Sequence, residues 1–240
     1  MAATPHGVEF DPVRIGLLLD WPVGVPANLI EPIQLAFEEA DAARRMPRRI
    51  ELVVEEAHGL PLHPARNAIA GYRRLIDAGC IGVIGPLISD NAIALAPVID
   101  ELQVPALSWC GTERFHGAYC FNLGNGGCGE EGQLMAAWLA REGHRKIGVL
   151  HEISPNGEEY FRFFRQECRR YGLSIGAVET VPQTPENLAE NLRNLKRSGC
   201  DALAYMGYGM LVAQGLMRPA LEEADWDPPR IMTTAFMFYL

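Results

Sequence analysis

Residues 85–91, GPLISDN, place a serine, an aspartate and an asparagine where an apolar run gives way to a helical one. The first turn of a helix has backbone N–H groups without partners and carries partial positive charge. A carboxylate or other small anion set there gains both hydrogen bonds and field. A second polar loop, SWCGT at 108–112, follows one strand-and-helix unit later. Open α/β folds bind ligands in the crevice outside the carboxyl ends of their strands, where two such loops would lie. The chemistry offered is recognition of a small polar molecule.

Rival chemistries fit less well. Cys110 as a nucleophile would make SWCGT resemble the cysteine–threonine loops of amino-acid racemases, but neither Cys80 nor Cys200 sits in a matching second polar loop. His58 and His63 are five residues apart in a Pro-rich loop, with no Cys or acidic neighbour at ligand spacing, so solvated histidines are expected rather than a metal site. GNGGCGEEG, 124–132, lacks the GK[ST] ending of a phosphate loop and the GxGxxG spacing of a dinucleotide fingerprint. It reads as the flexible entry to a helix, with Glu130 and Glu131 favouring the helix start. No cofactor is expected.

Composition bounds the rest. With 240 residues, 48% hydrophobic, the chain can bury a sizeable core as one large domain or two smaller ones. A formal net charge of -9 with dispersed basic residues argues against a nucleic-acid or anionic-lipid partner; the one short run, 44–49, reads as a helix end. No window reaches the roughly 18 apolar residues of a membrane helix, so no membrane insertion is expected. The opening residues lack a basic region followed by an apolar core. A cytoplasmic location is expected from the chain as it stands, a periplasmic one if an export signal has been removed. Six scattered cysteines without a CxxC pair lean towards a reducing compartment, with Cys80, Cys168 and Cys200 expected to be reduced and buried.

Positioning falls to alternating elements. Strands are expected at 13–20, 49–56, 80–85, 104–109, 118–123, 146–152, 173–181, 201–207 and 230–235. Helices are expected at 28–45, 64–78, 90–102 (bent or limited by Pro97), from the glycine-rich stretch to near Gly143, at 157–171, from a Thr184 cap and Pro185 through Lys196, and at 210–224. Such alternation means parallel pairing with right-handed crossovers. LIDAGCIGVIG (75–85) and LKRSGCDALAY (195–205) repeat Leu, Gly-Cys and an apolar run, and VRIGLLLD and RKIGVLHE open the two halves alike. Two similar α/β lobes, 1–124 and an incomplete 125–240, are expected.

From 13 to 235 the chain resembles the type I periplasmic binding-protein fold, and within it the branched-chain amino-acid and amide-binding group. VIGPLISDNAIALAPVIDELQVPALSWCGT and DALAYMGYG carry the resemblance. It implies two Rossmann-like lobes with parallel sheets flanked by helices, closing like a clamshell on a small polar ligand without catalysis. It also implies ligand contacts at Ser89, Cys110, Thr112, Asn156 and Tyr208, with delivery to an ABC permease or signalling to a regulatory protein. Trp21 is placed either to stack on a ligand or simply to pack.

Two departures follow. Amino-acid binders of the group set a glutamate against the ligand's ammonium in the last strand, where this chain offers Ala235. A buried ammonium without a carboxylate costs several kcal/mol, which favours an amide or simple carboxylate as the guest. The resemblance also implies further elements after residue 240 that return to the first lobe.

Overall fold

The structure, a computed structural model, describes residues 11–21, 29–124, 126–209 and 215–233. The expected alternation is present throughout. In chain order the elements are β1 (Val13–Leu19), α1 (Ile30–Ala42), β2 (Ile50–Glu56), α2 (Ala65–Asp77), β3 (Cys80–Ile84), α3 (Ser89–Leu102), β4 (Ala106–Ser108) and β5 (Cys120–Asn122). These are followed by α4 (Cys128–Arg141), β6 (Lys146–Glu152), α5 (Pro155–Arg170), β7 (Ser174–Val181), α6 (Ala189–Arg197), β8 (Ala202–Met206), α7 (Met217–Glu223) and β9 (Arg230–Met232). The expected helix at 210–224 and strand at 230–235 extend in part outside the described residues.

The strands form a five-stranded sheet, β2-β1-β3-β4-β5, and a four-stranded one, β7-β6-β8-β9, both wholly parallel. The order of the first four strands is the same in both: the first strand lies between the second and the third. The chain divides into two compact units, Met1–Trp109 with Phe115–Leu123, and Cys110–Arg114 with Gly124–Leu240.

In the second unit the strand period of two decides which helix each residue meets. Leu150 of β6 and Leu203 and Tyr205 of β8 pack on Leu188, Leu192 and Leu195 of α6 and its entry, and on Met217 and Leu221 of α7. The intervening Ile147, Val149, Ala202, Ala204 and Met206 pack against α4 and α5 through Met135, Leu139, Tyr160 and Phe164. Both faces are covered, so these strands read as continuous apolar runs rather than as alternation. In the first unit Leu17, Leu19 and Leu87 form a core patch against which Trp21, Ile33, Leu52, Ile84 and Trp109 pack.

One helix start differs from the expectations, while α3 runs to Leu102 as expected. Thr184 and Pro185 precede α6 without opening it; the helix starts at Ala189, whose N–H donates to Asn187 Oδ1 at 2.7 Å. Leu188, Leu192 and Leu195 are all fully buried, and this i, i+4, i+7 stripe sets where the helix must begin. Pro97 lies inside α3, which runs on to Leu102.

Candidate functional site

A parallel sheet with the order second-first-third has a switch point between its first and third strands. Crossovers leave there in opposite directions and a crevice opens at the carboxyl ends. In the first unit that point is the end of β1 beside the end of β3. Gly85, directly after β3, has φ +109, and a Cβ there would lie 2.7 Å from the Leu18 carbonyl oxygen, so only glycine lets the loop pass this close to β1.

Asp20, one residue past β1, is fully buried. Its carboxylate accepts the Leu87 N–H at 2.7 Å and the Ile88 N–H at 3.1 Å, and Asn91 Nδ2 donates to it at 3.0 Å. Burial pushes its pKa from 3.8 up to about 6, the three hydrogen bonds acting against that rise. Asn91 also accepts the Leu60 N–H at 3.0 Å, which ties in the loop after β2. In that loop a His58 ring nitrogen lies 3.1 Å from the Trp21 carbonyl oxygen. Ser108 Oγ, at the end of β4, donates to the Pro86 carbonyl at 2.6 Å. The strand ends of β1, β2, β3 and β4 are thus joined by side chains of Asp20, Asn91, His58 and Ser108.

Ser89 stands in this corner, 4% exposed, as the first residue of α3. The N-cap position belongs to Ile88, so Ser89 is not the cap of this helix. Trp21 is half-buried against the Leu17, Leu19 and Leu87 patch. These two predicted contacts share the first unit; Cys110, Thr112, Asn156 and Tyr208 belong to the second.

The second unit repeats the arrangement at its own switch point. Glu152 ends β6, is fully buried, and accepts the Tyr205 hydroxyl at 2.6 Å, the Tyr208 N–H at 2.9 Å and the Gly209 N–H at 2.8 Å. Gly207 has φ +144, and a Cβ there would overlap the Glu152 carboxyl group. Thr233 Oγ1, just past β9, donates to the Gly207 carbonyl at 2.7 Å. Tyr208 is 7% exposed, and its backbone is held through Glu152.

Segment 110–114 is fastened by Glu159 of α5, which is 4% exposed and accepts Thr112 Oγ1 at 2.6 Å and the Glu113 N–H at 3.0 Å. The Thr112 hydroxyl also accepts the Arg114 N–H at 3.1 Å. Gly111 accepts the Cys128 N–H at 2.9 Å, and Cys128 Sγ reaches Asn156 Oδ1 at 3.6 Å. Ser154 caps α5 by accepting the Gly157 N–H at 2.9 Å, with Pro155 in the first turn. Glu130 accepts the Gly127 N–H at 3.0 Å at the start of α4.

All six cysteines are buried thiols outside any disulfide. Burial raises the thiol pKa of Cys80 and Cys128, and takes that of Cys168 to about 12, which keeps them protonated and poorly nucleophilic. Among the described residues no cluster of three His, Cys, Asp or Glu could hold a metal ion, and no helix is long and apolar enough to cross a membrane. Ala235 lies outside the described residues.

A family model described as periplasmic binding protein matches residues 12–239. The chain belongs to the periplasmic binding protein family. Comparison with curated proteins returns no relative. Solved structures share its fold. A type 1 periplasmic binding protein from Bordetella pertussis superposes with a TM-score of 0.79 at 19% identity, covering 95% of this chain and 63% of that one. A solute binding protein of an ABC transporter from Rhodopseudomonas palustris, solved with 3,4-dihydroxybenzoic acid, gives 0.72 at 19% identity, with 94% and 63% covered. A leucine binding protein from Thermotoga maritima gives 0.73 at 17% identity, with 93% and 64% covered. This periplasmic binding protein chain spans somewhat under two thirds of the length of those neighbours.

Sequence reasoning placed Asn91 in the corner but did not single out Asp20, Glu152 or Glu159 as parts of the site. A signal for the first two was available, since the matching runs VRIGLLLD and RKIGVLHE both end in an acid.

Proposed function

We propose that this chain binds a small polar organic ligand, a carboxylate or an amide, without catalysis, as the ligand-recognising part of an ABC transporter substrate-binding protein. Ser89 and Trp21 contribute contacts from the first unit, and Cys110, Thr112, Asn156 and Tyr208 from the second. The observation that carries the reading is the Ser89 corner: a buried hydroxyl at the start of α3, beside a switch point whose backbone is fixed in advance by Asp20. Fixing polar groups before the ligand arrives lowers the ordering cost of binding.

The carboxylates of the second unit support a guest without a free ammonium. Glu152 and Glu159 are already engaged by donors of the protein itself. An ammonium would have to displace those bonds. The neighbour solved with 3,4-dihydroxybenzoic acid fits this preference, and the leucine binding protein marks the competing amino-acid class. Buried thiols outside any disulfide support a second reading, a ligand sensor of the same fold acting in a reducing compartment on a regulatory partner.

A thermal-shift screen of aliphatic and aromatic carboxylates, amides and amino acids tests the reading, with wild type and Ser89→Ala run side by side. At a hundred times Kd a ligand adds about 2.7 kcal/mol, enough to raise the Tm of a chain this size by roughly 5–10 °C. The expected result is such a rise for a carboxylate or amide, reduced in Ser89→Ala. Equal stabilisation of both proteins would place the ligand elsewhere.

A further inference from the structure

We infer that Asp20 is a positioning residue for the ligand corner: its carboxylate holds the Leu87 and Ile88 amides, and through them the start of α3 where Ser89 stands, in the shape that receives a ligand. The inference deepens the ligand-binding reading and rests on it.

Three observations carry it. First, the bonds run from one carboxylate to consecutive backbone amides directly before Ser89, at 2.7 and 3.1 Å, while Asn91, two residues after Ser89, donates to the same group at 3.0 Å. Ser89 is bracketed by groups that answer to Asp20. Second, no cation pairs with Asp20 among the described residues, although it is fully buried. An apolar residue would fill the same space without the desolvation cost, but would leave both amides without their acceptor. Third, the device occurs twice. Glu152, at the equivalent strand end of the second unit, accepts the Tyr208 and Gly209 amides in the loop that carries Tyr208. A buried acid at each switch point, each holding the loop that bears a proposed contact, is more than core packing requires.

Positioning by a carboxylate depends on its charge. Protonation removes one acceptor, and burial has brought that event within reach of mild acid, near pH 6. The ionisable groups on the surrounding segments are Glu51, Glu55 and Glu56 of β2, His58 and His63 of the loop after it, Cys80 at the start of β3, Asp90 at the start of α3 and Arg14 at the far end of β1; residues 85–88 carry none. His58 faces the Trp21 carbonyl rather than the Asp20 carboxylate.

Residue-resolved amide hydrogen exchange decides the matter without a ligand. In Asp20→Asn at pH 7.5, exchange at Leu87 and Ile88 should quicken at least about tenfold, while Tyr208 and Gly209, held by Glu152, keep their wild-type rates. Equal quickening at both pairs, or none, overturns the inference. Wild type itself provides the second arm if the variant does not fold. Between pH 7.5 and 5, protection of Leu87 and Ile88 should fall about tenfold relative to Leu17 and Leu18 of β1, after correction for intrinsic rates; constant protection overturns the inference.

Binding of benzamide, neutral over this range, supplies the functional readout, with benzoate as its charged counterpart. Wild-type affinity for benzamide should drop about tenfold from pH 7.5 to 5, a fraction that follows the protonation of one group. Asp20→Asn should bind weakly with no such pH dependence. Unchanged affinity in the variant overturns the positioning role. If neither probe binds while the exchange result holds, the amide-or-carboxylate reading fails and Asp20 still stands as the anchor of the corner.

Discussion

Asp20 shows how one residue can serve local order and global stability in opposite senses. Its folded-state pKa, about 6, lies above the ordinary 3.8 because burial disfavours the charge. The stability tied to this group is therefore fully present below 3.8 and is lost as the pH rises through 6. At 1.36 kcal/mol per unit the swing is about 3 kcal/mol. Urea melts of wild type and Asp20→Asn should show most of it: the wild type loses about 2.4 kcal/mol relative to the variant between pH 4 and 7.5, and a pH-independent difference would remove the raised pKa from the account. Gly207 poses a plainer test. With φ +144 and the Glu152 carboxyl filling the space of a Cβ, Gly207→Ala should cost at least about 2 kcal/mol by the same melts. A loss under 0.5 kcal/mol would mean that the loop is looser than it stands.

At the scale of elements, the second unit explains why strands were easy to place and one helix start was not. β6 and β8 are buried on both faces, so each carries an apolar run, IGVL at 147–150 and ALAYM at 202–206, without polar alternation. The start of α6 offered a misleading local signal, since Thr-Pro makes a good cap pair, but the burial of Leu188 with Leu192 and Leu195 outweighs it. Leu188→Ala should lower stability by about 2–5 kcal/mol through the cavity it leaves, whereas Thr184→Ala should stay within about 0.5 kcal/mol. The reverse order would restore the cap reading. The corner around Ser89 was legible as a place, because a polar loop follows an apolar run, but its support was not. Asp20 follows β1, His58 follows β2 and Asn91 sits in the first turn of α3, and only the sheet order β2-β1-β3 brings them together. The shared terminal acid of VRIGLLLD and RKIGVLHE was the one trace of that support in the chain itself.

For the molecule as a whole, the two units repeat a strand order, a glycine with positive φ at the end of the third strand and a buried acid at the end of the first. The sequence echoes at 75–85 and 195–205 are the surface of that repetition. Membership of the periplasmic binding protein family makes ligand recognition the activity to test, and the repeated switch points say where to look. Amide chemical-shift mapping with the compound that gives the largest thermal shift does so most directly. The account predicts perturbations concentrated at residues 85–91 and around Tyr208. Perturbations concentrated instead along the groove of about 440 Å³ lined by Leu134, Trp138, Arg141 and Ile231, with residues 85–91 unmoved, would contradict it.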